Sequence, residues 1–178
     1  MVKHFTTSVF QFCPSCGSRN GKAATEKLFS CPDCDFRFYA NPAAAVGGLL
    51  INGTGEVLLV ERGKEPAKGK YNIPGGFVDP RESIEEALRR EVEEEVGISL
   101  SEIEFLASFP NIYHYRGVTY HTVDMFFVCP IETEWDFVPN TEVVSVKHCA
   151  PHEIDLEELA FESTKQAVRA YLKILSKH

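Results

Sequence analysis

No stretch of about twenty consecutive apolar residues occurs in this chain, which excludes a helical membrane span. There is no internal repeat and no low-complexity segment. The opening residues, MVKHFTTSVFQF, have neither the long apolar core nor the small-residue cleavage site of a secretory leader, so cytoplasm is the expected compartment. Positive charge is in the minority, with 18 Lys and Arg against 26 Asp and Glu and a net charge of −8. That balance argues against a broad nucleic-acid-binding surface. It leaves room for an anionic substrate, because a bound cation supplies positive charge locally. At 178 residues the chain has the length of one α/β domain with a small appendage.

Four of the six cysteines stand in two pairs, Cys13-Pro14-Ser15-Cys16 and Cys31-Pro32-Asp33-Cys34. Two CxxC turns at this separation suit a tetrahedral structural Zn2+ ion, and the residues between them suit a short hairpin, together a zinc ribbon. Redox dithiols are one alternative and extracellular disulfides another, though the second is disfavoured where no leader is seen. A ribbon this small needs its metal to fold. Cys129 and Cys149 fall outside the pattern and read as small buried hydrophobes. The expected division is a ribbon over 1–40 and a main domain over 41–178, joined through Phe36–Pro42.

In the main domain, Ala43–Ile51 reads as a strand, Asn52-Gly53-Thr54-Gly55 as a hairpin turn and Val57–Val60 as the return strand. Arg62–Lys70 is basic and reads as a mobile loop in which Lys64, Lys68 and Lys70 are either solvated or contact phosphate. Further on, Glu104–Tyr113 and Val118–Cys129 flank Arg116-Gly117 as a long hairpin. Glu132–Asn140 is a polar loop, Val143–His148 a strand and His152–Leu159 a short helix. A terminal helix repeats Phe161, Thr164, Val168, Tyr171, Leu172 and Leu175, with Ser163 and Gln166 as its capping pair.

The physical anomaly lies between Gly76 and Ile98. Ser83 and Glu86 form a capping box for a helix, and Gly97 stops it. On a helical wheel Ile84, Ala87, Leu88, Val92 and Val96 make the apolar stripe. Glu91 and Glu95 fall inside that stripe and Glu94 borders it, while Glu86, Arg89 and Glu93 lie on the far side. Carboxylates facing a core without partners cost several kcal/mol or more. Positions i, i+3 and i+4 are neighbours on a helix, so Glu91, Glu94 and Glu95 can converge on a hard divalent cation such as Mg2+ or Mn2+.

The same stretch, GFVDPRESIEEALRREVEEEVGI, resembles the box of the Nudix hydrolases, G-x5-E-x7-R-E-U-x-E-E-x-G-U with U a bulky aliphatic residue. The match runs through Gly76, Glu82, Arg90, Glu91, Val92, Glu94, Glu95, Gly97 and Ile98 without a departure. The resemblance implies an α/β/α sandwich with a mixed sheet, and a Mg2+- or Mn2+-dependent attack of water on the pyrophosphate of a nucleoside diphosphate linked to a second group X. It implies Glu91, Glu94 and Glu95 as metal ligands and catalytic groups, with the Gly75 carbonyl and Glu142 completing the metal site and Glu94 or Glu142 as general base. Arg90 would orient a carboxylate, and Glu82 would support the turn or an outer metal.

The upstream cysteines, with Tyr39 five residues after Cys34, are similar to the NADH pyrophosphatase branch of that family. The S-Q-P-W-P-F-P-x-S array of that branch is reduced here to Phe109-Pro110, so NADH and ADP-ribose-like substrates both stay open. Substrate contacts are expected at Tyr39, Phe77, Arg62 and Lys70. The partner is a small nucleotide rather than nucleic acid or a membrane, and a homodimer is left open. The alternative is a nucleotide-sensing regulator that uses the ribbon to bind a macromolecule.

Overall fold

A computed structural model describes residues 9–116, 118–132 and 137–177. The expected turn residue Gly117, residues 133–136 of the polar loop and the first eight residues lie outside these. The chain divides into two compact units, Met1–Ala43 with Ile112–His121, and Ala44–Asn111 with Thr122–His178.

In the first unit, β1 (Lys22–Thr25), β2 (Leu28–Ser30) and β3 (Arg37–Tyr39) form an antiparallel three-stranded sheet. Its small core is Phe29, fully buried with Cys13 and Cys31, and Phe10 packs edge-on against both Phe29 and Phe38 at 5.4 Å. Three buried residues in its apolar core, among the described residues, are too few to hold such a unit by burial alone. The end of the hairpin expected near Arg116 belongs to this unit, a grouping that position along the chain does not suggest.

The second unit is built on most of a sheet in the order β6-β5-β4-β8-β7, with β9 pairing β5 as well; the ends of β7 and β8 next to their turn fall in the first unit. These strands are β4 (Ala43–Ile51), β5 (Val57–Arg62), β6 (Tyr71–Asn72), β7 (Glu104–Tyr115), β8 (Val118–Pro130) and β9 (Val143–Cys149). Side chains alternate across a strand, and β5 shows the consequence. Leu58 and Val60 pack on one face with Ala87, Leu88, Val92 and Val96 of α1 (Ile84–Val96). Val57 and Leu59 pack on the other with Ala167 and Val168 of α2 (Glu162–Leu175). The sheet is therefore the middle layer of an α/β/α sandwich.

Local chemistry accounts for the joints. The β4–β5 turn is held by the Asn52 side chain, whose Oδ1 accepts from the N–H groups of Thr54 and Glu56, with Gly55 at φ 83°. In α1 the capping box of Ser83 and Glu86 forms, and Gly97 ends the helix in the left-handed conformation. Three expectations are corrected. Ser163 does not cap α2, which begins one residue earlier. Its hydroxyl instead donates to buried Asp124 on β8 at 2.6 Å, and Thr122 donates to the other oxygen of Asp124. The single helix expected over His152–Leu159 is two 3-10 turns, Pro151–Glu153 and Leu156–Glu158, the second capped by Asp155. Arg89 is half-buried rather than free on the far side of α1, because its guanidinium donates to the carbonyls of Leu100 and Ser101.

Leu88 sits at the centre of the α1 face and is fully buried. Leu88→Ala should cost about 2–5 kcal/mol, read as a lowered midpoint in chemical denaturation, and it should loosen the helix that carries the glutamates.

Candidate metal and active site

Three elements of the second unit meet at one cleft of about 210 Å3, lined by Glu91, Glu94, Glu95, Asn140, Thr141 and Glu142. The first is α1, which presents Glu91, Glu94 and Glu95 to the cleft. The second is the turn after Ile73. Gly75 holds φ 146°, and a Cβ placed there would lie 2.1 Å from the Val46 carbonyl oxygen. At Gly76 a Cβ would meet Glu91 Oε1 at 2.6 Å. Two glycines therefore let the backbone lie against β4 and the carboxylates at once. The Gly75 N–H donates to Glu95 Oε2 at 2.9 Å.

The third element is the turn entering β9. Asn140 Oδ1 accepts from the N–H groups of Glu142 and Val143, and its Nδ2 donates to the Glu95 carbonyl. Sequence reasoning passed over Asn140. An Asn placed just ahead of a strand is a turn former, which is the signal that was available.

Arg90 organises the carboxylates. Its guanidinium makes a bidentate pair with Glu82 at 2.8 and 3.0 Å, reaches Glu91 at 2.8 Å and Glu94 at 3.2 Å, and donates to the Phe77 carbonyl. Glu82 also accepts the Asp79 N–H. One planar fork thus ties the turn to the helix. Glu82 is held below the ordinary carboxylate range, first by Arg90 and then by that N–H.

The inner glutamates behave oppositely. Burial raises Glu91, against the pull of Arg90. Burial also pushes Glu95 up to about 8, with Glu91 and Glu142 adding to the rise, although the Gly75 N–H and Arg62 oppose it. Glu94 and Glu142 are open to solvent at 62% and 59%. Hard oxygen donors from four glutamates lining one cleft, with Glu91 and Glu95 raised by burial, fit Mg2+ or Mn2+.

The remaining expected substrate residues are dispersed. The Arg62 guanidinium stacks on the Phe161 ring at 4.9 Å and donates to the Pro66 carbonyl. Lys70 donates to the Glu157 carbonyl at 2.8 Å. Backbone bonds from Arg62 to Lys70 and from Gly69 to Arg62 close the 62–70 loop on itself. Phe77 is 38% exposed beside the cleft turn, and Tyr39 is 52% exposed on β3 of the first unit.

In that first unit the Sγ atoms of Cys13, Cys16, Cys31 and Cys34 all lie within 4.8 Å of one another. The Cys13–Cys34 and Cys16–Cys31 separations are 3.7 and 3.8 Å. Tetrahedral Zn2+ with bonds of about 2.3 Å sets sulfurs roughly 3.8 Å apart, so the four residues fit zinc. Burial would raise the Cys13 thiol, but the N–H groups of Cys16 and Ser15 and the neighbouring Cys16 and Cys34 thiols bring it down to about 7, while neighbouring thiols and burial raise Cys16 and Cys31: one thiolate forms readily in the cluster and the others need a cation beside them.

The model of the NUDIX domain matches residues 41–171, most of the chain. The chain belongs to the NUDIX family. Over 103 residues it is 37% identical to the NAD-capped RNA hydrolase NudC of Deinococcus radiodurans, covering 56% of this chain and 36% of that protein. Over 79 residues it is 40% identical to the ADP-ribose pyrophosphatase of Methanocaldococcus jannaschii, covering 44% of this chain and 46% of that one. The matches thus span between a third and a half of these curated relatives. A solved NUDIX hydrolase from Nitrosomonas europaea superposes with a TM-score of 0.70 at 26% identity, covering 92% of this chain and 91% of that one. The α/β/α sandwich expected from the sequence is therefore the family's fold.

The raised Glu95 has a signed consequence. Its folded pKa lies above the ordinary 4.5. Its contribution to the stability of the metal-free protein is fully present below 4.5 and is lost as pH rises through about 8. The melting temperature of metal-free protein should fall across that window, and Glu95→Gln should flatten the fall. Mn2+ added at pH 8 should raise the melting temperature of the original protein and raise that of the variant much less.

Proposed function

We propose that this protein is a Mg2+- or Mn2+-dependent pyrophosphohydrolase acting on a nucleoside diphosphate linked to a second group, of the NADH or ADP-ribose kind. The observation that carries the reading is the convergence of Glu91, Glu94, Glu95 and Glu142 on one cleft, where burial raises the pKa of Glu95. Membership of the family supports the reaction class. The activities of the two relatives above, on NAD-capped RNA and on ADP-ribose, support a substrate that contains an adenosine diphosphate unit.

The metal would be held by Glu91, Glu94, Glu95, Glu142 and the Gly75 carbonyl. A cation bound there offsets the negative charge of the pyrophosphate and lowers the pKa of a coordinated water. Arg90 holds Glu91 and Glu94 toward the cleft while Glu82 anchors Arg90 to the turn. Water attacks one phosphorus in line, the bond from that phosphorus to the bridging oxygen breaks, and the bridging oxygen leaves with the other phosphate. Two phosphomonoesters result. Glu94 or Glu142, both open to solvent at the cleft, takes the proton of the attacking water. Phe77, exposed beside the cleft turn, would contact substrate, whereas Arg62 and Lys70 would first have to leave the Pro66 and Glu157 carbonyls. The four cysteines would hold a structural Zn2+. The place of action would be the cytoplasm.

The regulator alternative, in which the domain senses a nucleotide and the ribbon binds a macromolecule, does not need a complete set of carboxylates.

The test is to incubate the protein with Mn2+ and NADH, NAD+, ADP-ribose, diadenosine polyphosphates and nucleoside triphosphates, and to separate the products. The expected result is two monophosphates from NADH or ADP-ribose, lost in Glu95→Gln. Tight nucleotide binding with no turnover of any compound would overturn the enzyme reading.

A further inference from the structure

The 62–70 loop reaches the cleft at Glu142. Lys64 Nζ lies 2.6 Å from Glu142 Oε1, and the Gly63 N–H donates to the Glu142 carbonyl at 2.7 Å. A Cβ on Gly63 would come within 2.7 Å of the Thr141 carbonyl oxygen, so the loop lies flat against the turn that carries Glu142. The ion pair is exposed, at 53% for Lys64 and 59% for Glu142. Pairs of that kind contribute little and exchange readily.

The cations near the cleft differ in what holds them. Arg90 is committed to Glu82, Glu91 and Glu94. Arg62 is held by the Pro66 carbonyl and the Phe161 ring. Lys64 is held by Glu142, itself a cleft carboxylate.

We propose that Lys64 is an exchange residue: it is the counter-ion of Glu142 in the metal-free protein, and it turns to a phosphate of the substrate once a divalent cation takes that carboxylate. The inference rests on the metal-dependent reading above and deepens it. A dication outcompetes a single ammonium for one exposed carboxylate, because the Coulomb attraction scales with charge. The displaced ammonium stays at the rim, since the backbone of its loop is bonded to the Glu142 strand and closed on itself at Arg62, Gly69 and Lys70. A pyrophosphate entering the cleft supplies the anion that Lys64 has lost. Recognition then requires the metal first, and the enzyme would distinguish a diphosphate, which reaches both metal and Lys64, from a phosphomonoester. Lys64 is thus a positioning and specificity residue.

The experiment is a calorimetric Mn2+ titration of the protein, Lys64→Met, Glu142→Gln and the double variant, with KM measured for the nucleotide diphosphate that the panel shows to be turned over. Lys64→Met should bind Mn2+ about two- to fivefold more tightly than the parent, in keeping with the energy of an exposed pair. The gain should vanish in the Glu142→Gln background, which separates displacement at that carboxylate from a general change of charge. KM should rise about tenfold with kcat changed much less, as for loss of a charged hydrogen bond. Unchanged Mn2+ affinity in Lys64→Met, a gain that persists in Glu142→Gln, or an unchanged KM would each overturn the proposal. Absence of Mn2+ binding by the parent protein would instead remove the metal reading beneath it, and the proposal with it.

Discussion

The arrangement depends on one cost: the Glu95 carboxylate is drawn into the protein beneath Gly75, where it accepts a backbone N–H at 2.9 Å and burial raises its pKa. A helix would normally spend that position on an aliphatic residue. Here Val92 and Val96 fill the core on one side while Glu91 and Glu95 face the turn on the other. The turn can approach so closely only because Gly75 and Gly76 carry no Cβ. Arg90 keeps the inner carboxylates and the turn in register by clamping Glu82 and Glu91 together. Each of these features makes sense as the geometry of a cation site and is costly without one.

Much of this could be read from the residues. The period of the apolar positions along α1 placed Glu91 and Glu95 on the wrong face for a solvated helix, and the structure buries Ala87, Leu88, Val92 and Val96 as that period requires. Asn52-Gly53-Thr54-Gly55 is a turn whose chemistry is entirely local. The paired cysteines are likewise local, and their sulfurs gather within 4.8 Å. What escaped was long-range. Ser163 looked like a cap because capping is judged from neighbours three residues away, yet its partner Asp124 stands 39 residues back on β8. The Lys64–Glu142 pair spans 78 residues, and no periodicity announces it. Arg89 has a carbonyl ligand 11 residues on. The grouping of Ile112–His121 with the cysteine unit is also a product of tertiary packing that composition does not carry.

The two units divide the chemistry. In the proposed reading the sandwich would supply bond cleavage, through carboxylates set by helix period and glycine turns, which is why that reading rests on a short stretch. Substrate identity depends on groups with looser sequence rules, such as exposed aromatics and basic loop residues. Arg62 and Lys70, attractive as phosphate ligands in the sequence, are held by Phe161, Pro66 and Glu157 in the folded chain. Lys64, held by a cleft carboxylate, is the cation whose release the site itself can govern.

The central claim is that the inward carboxylates exist for a divalent cation. A crystal grown with Mn2+ and measured above and below the manganese absorption edge tests it directly. The account predicts an anomalous peak bonded to Glu95 and Glu91 in the cleft shared with Glu94 and Glu142. A fully Mn2+-exposed crystal with no peak there, and with Glu95 still bonded only to the Gly75 N–H, would contradict it.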